Sequence, residues 1–167
     1  MEAQATRVIE KASQTAELGG KYLTFNLADE QYGLEILKVR EIVKVMDITG
    51  VPQMPDYVKG VVNLRGKVIP VVDLRLKFGL PGTDYTDETC IIVVNVGTET
   101  GIVVDTVEEV ADIKDEQIEP PPEFGSQIDT RFILGLGKVG ERVKILLDID
   151  RILSDTEMTQ VAALAGK

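Results

Sequence analysis

The chain has 167 residues, with 28 acidic against 18 basic side chains, no histidine and one cysteine. Its net charge of −10 argues against a nucleic-acid backbone or an anionic membrane surface as partner, because affinity for either comes from cations; the excess acid also serves solubility by itself. The missing histidine removes the commonest general base and metal ligand, and a lone thiol makes neither an internal disulfide nor a thiolate metal site.

Length allows one domain or two small ones. Valine and isoleucine abound, aromatics are few and tryptophan is absent, which favours strands. No run of about 18 apolar residues exists to span a bilayer, and the N-terminus lacks an apolar signal core. A reducing, cytoplasmic address is expected.

Residues 1–19 are too sparsely apolar for a firm amphipathic helix and read as a flexible tail. Residues 21–27 alternate, with Leu23, Phe25 and Leu27 on one face, as in a half-buried strand. A turn at 28–30 leads to a second strand over 31–36, where Gly33 marks a bulge or a close approach. Residues 34–45 fit both helical and strand periods, and the β-branched residues favour strand. Pro52 and Pro55 make a rigid connector. A hairpin follows. The apolar runs 61–64 and 68–72 flank Arg65-Gly66-Lys67, and Gly66 can supply the positive φ of a tight reversal. That reversal holds Arg65 at a rigid tip. Pro70 implies an edge or a bulge in the second strand. Asp73 is placed to cap a brief helix over 74–78, stopped by Gly79 and Pro81. The polar loop 80–88 reads as a boundary between two halves.

The second half reads as strand again. Residues 90–96 and 101–107 form a hairpin, with Cys90 expected as a buried, inert thiol. The spacing of Val107, Val110 and Ile113 by three hints at a bulge. Residues 119–123 hold three prolines and form a stiff crossing. Residues 132–136 and 143–147 form another hairpin. A capping box at Ser154-Asp155-Thr156-Glu157 opens a C-terminal helix over about 154–165.

Few residues offer chemistry. Gly135, Gly137 and Gly140 match GxGxxG by letter, but a strand rather than a helix follows, so a hairpin loop is expected instead of a dinucleotide site. Asp73, Asp105, Asp148 and Asp150 each follow an apolar strand, where catalytic carboxylates sit in many enzymes. Each can equally cap or end its element. A metal-dependent enzyme using these aspartates is therefore the alternative to a binding module.

Asn63-Leu64-Arg65-Gly66, followed by Val68-Ile69-Pro70-Val71-Val72-Asp73-Leu74-Arg75, resembles the signature of the CheW-type chemotaxis coupling proteins. Three further stretches fall in that family's order. They are Tyr32-Gly33-Leu34-Glu35-Ile36 with Val39-Arg40-Glu41-Ile42, Gly101-Ile102-Val103-Val104-Asp105-Thr106-Val107, and Ile145-Leu146-Leu147-Asp148-Ile149-Asp150-Arg151-Ile152-Leu153. The resemblance covers roughly residues 20 to 165.

It implies an all-β fold of two five-stranded SH3-like barrels sharing a hydrophobic core, plus a C-terminal helix. The barrels are expected over about 20–83 and 84–153, with a terminal strand free to cross between them. It also implies a non-enzymatic cytoplasmic adaptor without a cofactor, recruited to membrane receptor arrays. Its partners would be the regulatory domain of a CheA-type histidine kinase and the cytoplasmic tip of methyl-accepting chemotaxis receptors, with rings as one mode of assembly with the kinase domain. Carried over residue by residue, Val39, Glu41, Ile42, Lys59, Gly60, Arg65, Val107 and Val110 match partner-facing positions. The plain alternatives are core packing for the four apolar side chains, a mutual surface ion pair for Glu41 and Arg65, and a strand opening for Gly60.

Overall fold

The computed structural model describes residues 19–121 and 130–154. In chain order the elements are β1 (Gly20–Leu27), β2 (Glu30–Glu35), a 3-10 turn (Ile36–Lys38), β3 (Val39–Lys44), β4 (Val58–Leu64), β5 (Lys67–Asp73) and α1 (Leu74–Lys77). Then come β6 (Cys90–Asn95), β7 (Glu99–Val104), β8 (Thr106–Ile113), β9 (Ile118–Glu119), β10 (Ile133–Val139), β11 (Arg142–Leu147) and α2 (Ile149–Ile152). The expected tail and the expected C-terminal helix fall, but for Gly19 and Ser154, outside the described residues.

Two sheets result. One has six strands in the order β8-β1-β2-β11-β10-β9, the other five in the order β3-β6-β7-β5-β4. Each contains one parallel pair, β2 with β11 and β5 with β7. The five-stranded unit is one unbroken stretch of chain, from β3 to β7, inserted between β2 and β8 of the six-stranded unit. The two sheets therefore do not divide at residue 80. The polar loop 80–88 joins two elements of the same sheet, whereas the real crossings are short: the 3-10 turn Ile36–Lys38 and the single residue Asp105. Composition marks where the chain leaves an element, but not which sheet receives the next one. The expectation of five strands per barrel also needs one correction, since the two-residue β9 adds a sixth to one of them.

Each sheet curls into a small barrel. In the five-stranded one, Thr49 and Val61 exchange hydrogen bonds of 2.8 and 2.9 Å. This bridge draws the segment after β3 against β4, the opposite edge. In the six-stranded one, a Cβ built on Gly137 of β10 would stand 3.3 Å from Ile113 of β8, so glycine permits that approach across the barrel.

Alternation explains the core. On β6, Ile91 and Val93 point into the five-stranded barrel, while Ile92 and Val94 point into a core shared between the sheets. On β7, Val103 faces inward and Ile102 and Val104 face the shared core. Leu23, Phe25, Leu27, Tyr32 and Leu34 of β1 and β2 meet them from the other side. Strands buried on both faces read as continuous apolar runs. That also corrects the half-buried reading of β1: Tyr22 and Thr24, on its second face, are buried as well. Truncating Leu34 or Ile92 to alanine would cost about 2–5 kcal/mol.

Local details follow their causes. Gly33 sits at a close approach, its missing Cβ within 2.9 Å of Leu146, and the β1–β2 register runs unbroken through it. Pro70 departs from the edge reading, because β5 lies between β4 and β7. Its lost donor is tolerated because pairing with β7 begins one residue later, at Val71. Asp73 caps α1 by accepting from the Leu76 amide at 3.4 Å. Cys90 is half-exposed rather than buried, and its Sγ lies 3.4 Å from the Glu88 carbonyl.

Candidate partner-binding surfaces

The β4–β5 hairpin closes through two residues, since Leu64 pairs with Lys67. Arg65 and Gly66 have φ of 54° and 88°, the pattern of a type I′ turn that matches strand twist. For a non-glycine residue the left-handed region costs about 1–2 kcal/mol. Asparagine helps to offset this: Asn63 Oδ1 accepts from the Gly66 amide at 2.8 Å. Lys67, expected in the turn, is the first residue of β5 and pairs with Glu99. That ion pair holds the Glu99 carboxyl below its usual range.

Arg65 donates from its guanidinium to the Glu41 carboxylate of β3. The mutual ion pair is therefore formed, and it ties the hairpin tip to the far edge of its own sheet. It remains accessible: the Arg65 side chain is 69% exposed and that of Glu41 30%. Beside it on β3, Ile42 is exposed, whereas Val39 is half-buried against the shared core. A cation and a carboxylate thus meet on the five-stranded barrel, on paired strands and a two-residue turn, while Ile42, the next residue of β3, is exposed on the strand's opposite face. Such a surface can recognise a protein.

Lys59 and Gly60 lie at the base of the same hairpin. The β4–β5 register slips between Val58 and Gly60, so Lys59 is bulged outward, its ammonium 6.0 Å from the Tyr85 ring centroid. Gly60 is buried, with φ of 139°, and a Cβ there would sit 1.9 Å from the Thr49 carbonyl oxygen. Any part Gly60 has in partner capture runs through the backbone it shapes.

Val107 and Val110 are on β8, in the other barrel. Val107 is half-buried against the shared core, and Val110 is exposed. The structure thus joins Glu41 to Arg65, exposes Ile42 on the opposite face of β3, and places the two valines on a separate strand. The eight positions do not form one continuous patch by contact.

The strand-end aspartates have structural partners. Asp73, itself buried, accepts from the Tyr85 hydroxyl at 2.8 Å, and burial, then this bond, raises the tyrosine's pKa. Asp105 accepts from Arg75 Nε and Nη2 at 2.8 and 2.7 Å and from the Ala28 amide at 2.9 Å. Asp148 caps α2 through the Arg151 amide at 3.2 Å, and Asp150 pairs with Lys38 at 2.7 Å. Among the described residues no three acidic or thiol side chains converge as metal ligands. Gly135 and Gly137 lie on β10, and Gly140 sits in the turn to β11, so a strand follows the GxGxxG letters.

Sequence reasoning missed two groups. One is the Arg75–Asp105 clamp at the second crossing. The other is a polar cluster at β8, in which the partly exposed Glu108 meets the buried Gln31 and Lys144. A lysine in the middle of an apolar strand was its only signal.

Two barrels packed through a common core, with exposed polar and apolar groups on rigid strands, define a β-rich module of the protein-binding class. The CheW-like domain family matches residues 21–157, and the chain belongs to that family. It is 45% identical to the chemotaxis protein CheW of Klebsiella aerogenes over 149 residues, covering 89% of this chain and 90% of that one. It is 37% identical to the Bacillus subtilis chemotaxis protein CheW over 152 residues, covering 89% and 96%. The crystal structure of the scaffolding protein TtCheW from Thermoanaerobacter tengcongensis superposes with a TM-score of 0.77 at 38% identity, covering 84% of this chain and 96% of that one.

Proposed function

We propose that the chain is a cytoplasmic adaptor that transforms nothing itself and couples the cytoplasmic tip of transmembrane chemoreceptors to the regulatory domain of a CheA-type histidine kinase. Family membership supports the chemotaxis role. The observation that carries the binding role is Arg65. A non-glycine residue is held at positive φ on a two-residue turn, paired to Glu41 and still largely exposed. Backbone strain persists where surrounding structure overdetermines it, and such places cluster at functional sites. A preorganised side chain also loses little entropy on capture.

In this reading the Glu41–Arg65 pair and the exposed Ile42 edge of β3 meet one partner, and the strand carrying Val107 and Val110 meets the other. Holding both raises their effective concentration for each other. Signal passes when receptor states differ in affinity for the adaptor–kinase unit, since only differential affinity shifts a population. Among the described residues no helix is long and apolar enough to cross a membrane, so array recruitment would run through receptor contacts.

Co-sedimentation of the full chain with receptor-bearing membranes, with and without the kinase, tests this. The expected result is that the chain pellets with receptor membranes and carries additional kinase with it. Absence of the chain from the pellet, or kinase recovery independent of it, would overturn the reading.

A further inference from the structure

Among the described residues, the buried polar side chains of the six-stranded barrel are Thr24, Gln31 and Lys144. All three serve the same two residues of β8. Thr24 Oγ1 donates to the Glu109 carbonyl at 2.9 Å and accepts from the Glu109 amide at 3.2 Å. Gln31 Nε2 donates to both carboxylate oxygens of Glu108, at 3.1 and 3.0 Å. The Lys144 ammonium donates to Gln31 Oε1 at 2.8 Å and stands 3.9 Å from Glu108 Oε2. Asn26 Nδ2 adds a third hydrogen bond to Glu108, at 3.0 Å.

Glu108 is the bulged residue. Thr24 of β1 pairs with Glu109 and Phe25 with Val107, so one step on β1 spans two on β8. In an unbroken strand, positions three apart point to opposite faces. Here Val107 lies opposite Phe25 and Val110 opposite Leu23. Leu23 and Phe25 both face the shared core. The bulge therefore turns Val107 and Val110 to the same side, with Val110 exposed and Val107 seated against the core.

A buried ammonium is costly unless paired. The Lys144 side chain is 5% exposed, and the carboxylate that faces it belongs to Glu108. Sliding the bulge so that Val107 took that place would leave the ammonium facing no carboxylate and break the cluster. Fixing register is the best-attested use of a buried polar group. We propose that Lys144 is a positioning residue for partner capture. Acting through Gln31 and Glu108, it locks the β8 bulge that presents Val107 and Val110 together to an apolar helix face of a receptor. This rests on the adaptor reading above, while the register it describes does not.

The test uses the full chain with Lys144→Met, Glu108→Gln, the double variant and Lys144→Arg. Methyl nuclear Overhauser contacts of Val107 with Phe25 and of Val110 with Leu23 report the register. Calorimetric titration with a soluble chemoreceptor hairpin fragment, at a temperature where every variant is folded, reports capture, with Val110→Glu as a control. Lys144→Met is expected to lose one or both contacts and to weaken binding about tenfold, the size of an ordinary interface loss. The double variant should bind no worse than either single one, because both act on one device. Lys144→Arg should restore binding. Intact contacts in Lys144→Met, or lost contacts with undiminished binding, would overturn the proposal. Additive losses in the double variant would do the same. If Lys144→Met does not fold, Glu108→Gln, on a partly exposed side chain, decides by the same two readouts. If wild type does not bind the fragment, or Val110→Glu binds like wild type, the adaptor reading of this strand fails, and the contacts alone decide the register.

Discussion

Arg75–Asp105 and Arg65–Glu41 are the same chemistry in two settings. The first lies where the chain passes from one barrel to the other. Its side chains are 17% and 24% exposed, the guanidinium makes two bonds to one carboxylate, and the same carboxylate also accepts from the β1–β2 turn. The second lies on a hairpin tip, single-contact and largely open. Burial and multiplicity make the first a clamp between barrels. Exposure makes the second weak in stability terms and leaves it free to exchange one partner for another. Under the proposed function, a charge pair's place in the fold, not its residue types, separates holding the molecule together from addressing another one.

The largest effect should come from beneath the open pair. Gly60→Ala would drive a Cβ into the Thr49 carbonyl that closes the five-stranded barrel. A loss of about 3–4 kcal/mol is expected by urea denaturation; a loss under about 1 kcal/mol would mean that Thr49 moves aside freely. Asp105→Ala comes next, at about 2–3 kcal/mol, since it leaves Arg75 without its main partner and the Ala28 amide without an acceptor. If that variant melts like wild type, the clamp is not a clamp and the contrast between the two pairs collapses.

Arg65→Glu sharpens the contrast from the other side. An exposed pair contributes under about 1 kcal/mol, so the melt should shift little even with two carboxylates facing each other. Capture of kinase or receptor, followed by titration calorimetry, should weaken about tenfold or more. A large stability loss with unchanged binding would reverse the assignment of the two pairs.

Much of this was legible in the sequence because turns and alternation are local. The Arg65-Gly66 reversal, the Asp73 cap and the bulge hinted by Val107, Val110 and Ile113 all depend on neighbours in the chain. The barrel division was not legible. Its crossings are a 3-10 turn and one aspartate, which carry less turn chemistry than the loop at 80–88. Lys144 was hidden for a different reason. On β11 the pattern is inverted, with Val143 exposed and Lys144 buried, so hydrophobicity alone points the strand the wrong way round. Gln31, which accepts the ammonium's hydrogen bond, and the Glu108 carboxylate beyond it make that inversion tolerable. Glu41 and Arg65 lie 24 positions apart in the chain, and the curl of the sheet, not any motif, decides that they meet.

The smallest effect tests the other crossing. Lys38, in the 3-10 turn, is held by Asp150, a bond that raises the lysine's pKa. Glu35, one strand end earlier, has its pKa raised chiefly by burial, opposed by Lys38 and reinforced by Asp148 and Asp150. A carboxyl raised in the folded state binds its proton more tightly there than in the unfolded chain. Its ionisation therefore opposes folding at neutral pH, and this penalty fades as pH falls through the raised value toward that of an unfolded glutamate. Glu35→Gln should accordingly raise Tm at about pH 7 by roughly 2 °C and lose that gain near pH 4. At neutral pH Lys38 still pairs with Asp150, so the crossing stays latched in the variant. A Tm that falls at neutral pH instead would mean that Lys38 depends on Glu35 more than on Asp150, making this crossing a three-membered clamp like Arg75, Asp105 and Ala28 rather than a simple pair with a buried acid beside it.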